Sequence, residues 1–333
     1  MRIAINGFGR IGRQFFLAAL EANILKDIVA INDLADSENL AYLLKYDSIH
    51  GKRKDRINFT KDSLIINGRK ILFLNEKDTS KYPWKKLKID LVVESTGVFT
   101  DREGCEMHLN AGAKKVLLTA PGKNSDCFIV PGVNSENLKK EHNIISMASC
   151  TSNCIAPIVK VINDNFSIER GYMVTTHAIT ADQKIVDSPH KDFRRGRTAS
   201  INIVPTSTGA AKMVGEIIPE LKGKLDGYAL RVPVADGSIC NFTCIVNKKV
   251  TAEEVNEAFE RISAKGMRGI LEYCSDPIVS TDIIHNPSSC VFDSLMTKVI
   301  GNMVNVVGWY DNEWGYSCRL VDAVKIIKNT NRF

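Results

Sequence analysis

The stretch RIAINGFGRIGRQFFLAALEAN, Arg2 to Asn23, constrains the fold more than any other. An apolar run from Arg2 ends in Gly7. Gly7, Gly9 and Gly12 then follow with G-x-G-x-x-G spacing, and RIGRQFFLAALEAN repeats its apolar residues at helical period. In that setting the first glycine permits a tight turn. The second lets backbone approach a pyrophosphate, and the third packs helix on strand. The helix start then offers N–H groups to the phosphates. A second strand, DIVAIND, ends on Asp33, 21 residues beyond Gly12. A carboxylate there can accept both ribose hydroxyls and repel a 2′-phosphate. The bland alternative is a glycine turn in an ordinary βαβ unit. Strand, glycines, helix, strand and terminal acid together favour a dinucleotide site.

The first 150 or so residues continue the pattern. LIINGRKILFL predicts a hairpin turning at Asn67-Gly68. IDLVVEST, KKVLLTAP and CFIVPG are apolar runs of strand length, with helical patterns at ENLAYLLKY and DREGCEMHLNAG between some of them. Ser95-Thr96 and Thr119 fall at the ends of two such strands, where a parallel sheet places its ligand. Beyond Cys150 strands dominate (GYMVTTHAIT, YALRVPV, SICNFTCIVNKKV, MVNVVGWYD), with helices at TSTGAAKMVGEIIPEL and EEVNEAFERISAK. Residues 181–200 are polar, basic and weakly periodic, a long loop of the kind that serves a site or an interface. The expectation is an α/β chain: a Rossmann-type domain over 1–149, joined by a C-terminal helix over 313–333, and a second α+β domain over 150–312.

Composition excludes several classes. At 44% hydrophobic, 333 residues can bury two cores. No apolar run reaches 18 residues, so no membrane span is expected. The N-terminus begins at once with strand-like residues and lacks the marks of a signal peptide, which points to the cytoplasm. The nine cysteines include no CxxC pair and no nearby histidine cluster, so neither a metal site nor a disulfide framework is expected. The net charge of +6 is spread among acidic residues, KDFRRGR (191–197) being the main basic cluster. That suits phosphorylated substrates better than nucleic acid.

ASCTSNCIAPIVK raises a separate question. Cys150 falls where an apolar strand, NIISMA, meets a helix that runs on despite Pro157. Metal ligand, disulfide half, buried core residue and nucleophile are the readings open to it. A helix N-terminus stabilises a thiolate and lowers its pKa. His177, closing the run GYMVTTH, is the histidine best placed to act as a base; a hydrogen-bonded core histidine is the alternative. Cys154 lies one turn further on and reads as packing. A thiolate beside a nicotinamide site can add to an aldehyde, and hydride loss then leaves a thioester.

INGFGRIGR, LLKYDS, ESTGVF, ASCTSNC, HAIT, PHKD, PTSTGAAK, LKGKLDG, RVPV and YDNEWGYS, taken in order along the whole chain, resemble phosphorylating glyceraldehyde-3-phosphate dehydrogenases of the bacterial glycolytic type. The resemblance implies oxidation of glyceraldehyde 3-phosphate with NAD and inorganic phosphate, giving 1,3-bisphosphoglycerate. It implies Cys150 as nucleophile and His177 as base. It places the substrate phosphate on Thr180 and Arg231, and inorganic phosphate on Ser149, Thr151, Arg195, Thr208 and Gly209. It assigns Arg10, Ile11, Asp33, Thr119, Asn312 and Tyr316 to the cofactor, and it implies a homotetramer with the 180–200 loop at subunit contacts.

The sequence departs from the family pattern in three places, two of which bear on the cofactor. Lys77 stands where many members have Arg, near the adenine end. Ser188 replaces a Leu common in strictly NAD-dependent bacterial members, which leaves NADP use open. VADGSICNF replaces the commoner TPNVSVVDL. The alternatives within reach are erythrose-4-phosphate dehydrogenase and a mainly NADP-dependent gluconeogenic isoenzyme. The intact Thr208-Gly209 pair favours the triose enzyme.

Overall fold

A computed structural model describes residues 1–331, so the last two residues of the expected 313–333 helix lie outside the described residues. The chain divides into two compact units. One comprises Met1–Ile129, Ser135–Ala148 and the segment from Ser317; the other comprises Val130–Asn134 and Ser149–Tyr316.

The first unit is built on a nine-stranded sheet. Seven strands run parallel, in the spatial order Cys127–Phe128, Ile144–Ser146, Lys115–Leu118, Leu91–Glu94, Ile3–Asn6, Ile28–Asn32 and Arg69–Leu74. Ser63–Ile66 and Ile57–Thr60 extend it antiparallel. Ile3–Asn6 and Leu91–Glu94 are buried throughout, as central strands covered on both faces require. The Asn67-Gly68 turn has φ of 50° and 82°, the left-handed pair of a type I′ hairpin. The Arg10–Glu21 helix is buried all round from Gly12 to Ala19, Phe15, Phe16 and Leu17 among them.

The second unit holds an eight-stranded mixed sheet. Its long central strand, Ile168–His177, pairs parallel with Leu225–Arg231 and antiparallel with Ser238–Val246. Met303–Tyr310 lies beyond the latter. The Cys150–Phe166 helix contacts these strands through side chains buried along nearly its whole length, Pro157 among them. The Ala252–Lys265 helix opens with a capping box, Thr251 and Glu254 exchanging side chain-to-backbone bonds, and stacks Phe259 on Phe292 with ring centroids 3.8 Å apart. The α/β and α+β readings of the two halves therefore hold.

Two of the three motif glycines are set by packing. Gly7 has φ +90°, and a Cβ on it would sit 2.6 Å from the Thr96 nitrogen. A Cβ on Gly12 would lie 2.1 Å from the Gly7 carbonyl oxygen. Gly12→Ala is expected to push the helix off the turn and cost about 1–3 kcal/mol of stability. Thermal unfolding measures this; an unchanged midpoint would contradict the packing role.

Candidate active site and cofactor cleft

In the first unit the carboxyl ends of the parallel strands open into a cleft of about 500 Å³, lined by Gly7, Gly9, Asp33, Lys77, Ser95 and Thr96 among others. Here Gly9 differs from its two neighbours: a Cβ on it would meet no atom within 4 Å. It is also the N-cap of the Arg10–Glu21 helix and supplies no side-chain cap. A bare helix start beside open space suits a pyrophosphate. The Asp33 carboxylate is held at the rim by the backbone N–H of Phe8 (2.6 Å) and of Ala35 (2.9 Å). Ser95 Oγ donates to the Gly7 carbonyl at 2.6 Å, tying the glycine turn to the neighbouring strand end. Arg10 pairs with Asp47 at 2.6 Å. Arg10, Ile11, Gly12 and Thr119 do not line the cleft. Arg10, Ile11 and Gly12 form the first turn of the helix, and Thr119 closes the Lys115–Leu118 strand.

The sequence reading missed Asn6, Asn32, Glu76 and Tyr82, which also line the cleft. The available signal was that three apolar strands, IAIN, IVAIN and LVVE, each end on a buried amide or acid. Such an ending has no use in a core.

In the second unit Cys150 opens its helix behind the N-cap Ser149, whose hydroxyl accepts from the Ser152 N–H at 3.0 Å. Cys150 Sγ lies 3.5 Å from His177 Nε2. Sheet register sets the rest: His177 closes one strand directly opposite Arg231, which closes the next. Nδ1 of His177 lies 2.7 Å from the Ala178 carbonyl oxygen and 2.7 Å from Arg231 Nη1. In the tautomer with its proton on Nδ1, donated to that carbonyl, Arg231 Nη1 donates to the same carbonyl oxygen at 3.1 Å and Nε2 turns a lone pair toward the thiol, the arrangement a base needs.

Burial pushes the Cys150 thiol up; Arg231 and the Thr151 N–H and hydroxyl pull the other way without prevailing. Burial, then Arg231, push His177 down to about 3. The lowered thiol pKa expected from the helix N-terminus is therefore not found, because desolvation outweighs it. Both shifts favour a neutral thiol against a neutral imidazole.

The residues expected around the phosphates are dispersed in their roles. The Thr151 hydroxyl is engaged with buried Tyr310 at 2.9 Å, as is that of Thr175. Arg195 donates to Thr206 Oγ1 at 2.7 Å and pairs with Asp182. Thr180 is exposed, and its N–H reaches Gln183 Oε1 at 3.2 Å. Thr208 accepts from the Ala210 N–H at 3.2 Å, and Gly209 begins the Ala210–Ile217 helix without a side-chain cap. Asn312 Oδ1 accepts from Ser238 Oγ at 2.6 Å, which fixes its amide. Tyr316 is buried, which pushes its phenol well above the usual value, Cys150 adding to the effect.

Comparison with known proteins now decides the family. Residues 1–102 match the glyceraldehyde 3-phosphate dehydrogenase NAD binding domain, and residues 149–312 match the C-terminal domain of the same family. The chain belongs to the glyceraldehyde-3-phosphate dehydrogenase family. Among relatives, "Glyceraldehyde-3-phosphate dehydrogenase 2" of Bacillus subtilis is 51% identical over 327 residues, covering 98% of this chain and 96% of the relative. "Glyceraldehyde-3-phosphate dehydrogenase 2" of Streptomyces avermitilis is 50% identical over 331 residues, with 99% of each chain covered. The Mycobacterium avium enzyme is 49% identical over 333 residues, with 98% of each covered. The chain is thus an NAD-binding oxidoreductase, and the cleft beside Gly9 fits that cofactor.

One departure from the family pattern has a physical consequence. Asp236, where the commoner sequence has Asn, is buried with a carboxylate oxygen within 4.8 Å of one from Asp311. Burial, then Asp311 and Glu313, push Asp236 up to about 8. A carboxyl raised on folding contributes fully below its unfolded value near 3.8 and loses that contribution as pH climbs toward 8. Asp236→Asn is therefore expected to raise the thermal midpoint at pH 8 and to leave it nearly unchanged at pH 4. A pH-independent difference between the two proteins would contradict this.

Proposed function

We propose that this enzyme converts D-glyceraldehyde 3-phosphate and inorganic phosphate to 1,3-bisphosphoglycerate through a thioester on Cys150. The observation that carries the mechanism is the 3.5 Å contact between Cys150 Sγ and His177 Nε2. His177 takes the thiol proton as sulfur adds to the aldehyde carbon and returns it to the oxyanion so formed, giving a hemithioacetal and a neutral imidazole again. The backbone N–H of Cys150, at the helix start, and the His177 ring stabilise the oxyanion. NAD, when bound, supplies the acceptor for the hydride that the hemithioacetal loses on becoming a thioester. His177 takes the hydroxyl proton in that step. Inorganic phosphate then attacks the thioester carbonyl, the C–S bond breaks, and Cys150 regains its thiol.

Arg231 and Thr180 are assigned to the substrate phosphate. Arg195, Thr208, Gly209, Ser149 and Thr151 are assigned to inorganic phosphate; two guanidinium groups with hydroxyls and a bare helix start suit two anions. Asn312 and Tyr316 are assigned to the nicotinamide end, and Lys77 and Asp33 to the adenosine end.

The enzyme is further read as a homotetramer. Ile185, Val186, Phe193, Ile201 and Ile203, in and just beyond the 181–200 loop, are 67–89% exposed, a density of bare apolar side chains that asks for cover. A reducing, cytoplasmic setting suits nine cysteines none of which is disulfide-bonded. Among the described residues no helix is long and apolar enough to cross a membrane.

Initial rates test the chemistry. Steady-state NADH production, beyond the first equivalent per site, should require phosphate; NADH production should vanish in Cys150→Ser and fall about 10²–10⁴-fold in His177→Asn. Full-rate turnover without phosphate would contradict the thioester route. Asp33→Ala should raise kcat/KM for NADP relative to NAD by about tenfold or more. An unchanged ratio would remove Asp33 from cofactor selection.

A further inference from the structure

Behind the cofactor cleft lies a chain of buried polar side chains to which nothing above gives a task. Asn6, Asn32 and Glu94 close three adjacent parallel strands, and sheet register sets Asn6 directly between the other two. Each is at most 3% exposed. Asn32 is pinned by main chain: its Oδ1 accepts from the Glu76 N–H at 2.9 Å, and its Nδ2 donates to the Glu76 carbonyl at 3.0 Å. That orientation sends Nδ2 of Asn32 to Asn6 Oδ1 at 2.8 Å. Asn6 must then present its own Nδ2 to Glu94 Oε2, and does so at 2.6 Å.

The far side imposes the same demand. The Trp84 indole N–H can only donate, and it meets His108 Nδ1 at 3.1 Å. His108 is therefore neutral with its proton on Nε2, which it donates to Glu94 Oε2 at 2.9 Å. The other oxygen, Oε1, accepts from the Thr96 N–H at 2.8 Å and from the Thr96 hydroxyl. Oε2 meets only donors, Asn6 Nδ2 and His108 Nε2, while Oε1 is held by the N–H and hydroxyl of one residue, Thr96. Glu94 is 1% exposed, and its two carboxyl oxygens are held by Asn6, His108 and Thr96. A carboxyl group so deeply buried costs stability unless its oxygens are hydrogen-bonded.

Glu94 and His108 do not line the cleft, but the other two partners of Glu94 do. Asn6 and Thr96 form part of the lining. The His108 ring stacks on Tyr82 at 5.4 Å and meets Phe99 edge-on at 6.0 Å, and both of those aromatic rings are also in the lining. We propose that Glu94 is a positioning residue for the dinucleotide: its two acceptor oxygens set the donor directions of Asn6 and Thr96 and, through His108, the seat of the aromatic walls. The proposal rests on this cleft being the NAD site.

Glu94→Gln keeps the shape and replaces one acceptor by a donor. The new amide would face Asn6 Nδ2 and His108 Nε2, or else the Thr96 N–H, donor against donor. In the full-length enzyme, calorimetric titration with NAD should show Kd raised about tenfold or more. The KM for NAD should rise in parallel, while kcat at saturating NAD and the KM for glyceraldehyde 3-phosphate stay within about twofold. Trp84→Phe removes the donor that locks the His108 tautomer and should raise Kd by a smaller factor; it carries the test if the glutamine variant does not fold. A folded Glu94→Gln with unchanged Kd overturns the proposal, as does an unchanged Kd in Trp84→Phe where that variant stands in. Parallel losses in Kd, kcat and both KM values, with a lowered thermal midpoint, mean plain destabilisation and overturn it too. Gly9→Val, which fills the cleft directly, separates the two readings. Normal NAD binding by that variant would sink the cleft assignment itself. Lost binding there with normal binding in Glu94→Gln would sink only the role of Glu94.

Discussion

Placing an uncharged thiol against an uncharged imidazole, at 3.5 Å and largely out of water, is the constraint that organises the catalytic unit. Burial disfavours both the thiolate and the imidazolium, so the two groups face each other without forming an ion pair at rest. Arg231 sharpens the arrangement: its charge draws the thiol down and holds the imidazole neutral, while sheet pairing fixes it opposite His177. Moving His177 by one residue along its strand would turn it to the other face of the sheet and lose the contact altogether.

The cofactor unit solves a different problem with the same means. Parallel strands leave their carboxyl ends unfilled, and the chain closes them with Asn6, Asn32 and Glu94 rather than with apolar side chains. Main-chain groups of Glu76 at one end and the Trp84 indole at the other impose one direction on every hydrogen bond between them. A row of this kind has only one satisfied state, which is what gives it rigidity. Gly7 and Gly12 contribute through close backbone approach, whereas Gly9 leaves room for a ligand.

Much of this was legible in the sequence. The glycine spacing, the Asn67-Gly68 hairpin and the helices at Arg10–Glu21 and Ala252–Lys265 carry strong local signals and appear where those signals place them, whereas the helix read over TSTGAAKMVGEIIPEL spans only Ala210–Ile217, its first residues ending the strand Val204–Ser207. Cys150 and His177 were legible as candidates because each ends or begins an element, but their contact spans 27 residues and is made by the sheet. The short strands Val204–Ser207, Leu271–Cys274, Cys290–Asp293 and Lys298–Ile300 escaped notice, since three or four residues cannot establish a period. The sign of the Cys150 shift was also beyond reach. A helix terminus can be read from sequence; the depth at which the fold buries it cannot.

The central claim is that Cys150 carries the acyl group. Intact-protein and peptide mass spectrometry on enzyme mixed with glyceraldehyde 3-phosphate and NAD, without phosphate and quenched in acid, tests it most directly. The account predicts a phosphoglyceroyl adduct on the peptide bearing Cys150, one per chain, discharged when phosphate is added before the quench. NADH formed with no adduct on that peptide, or an adduct that phosphate does not discharge, would contradict it.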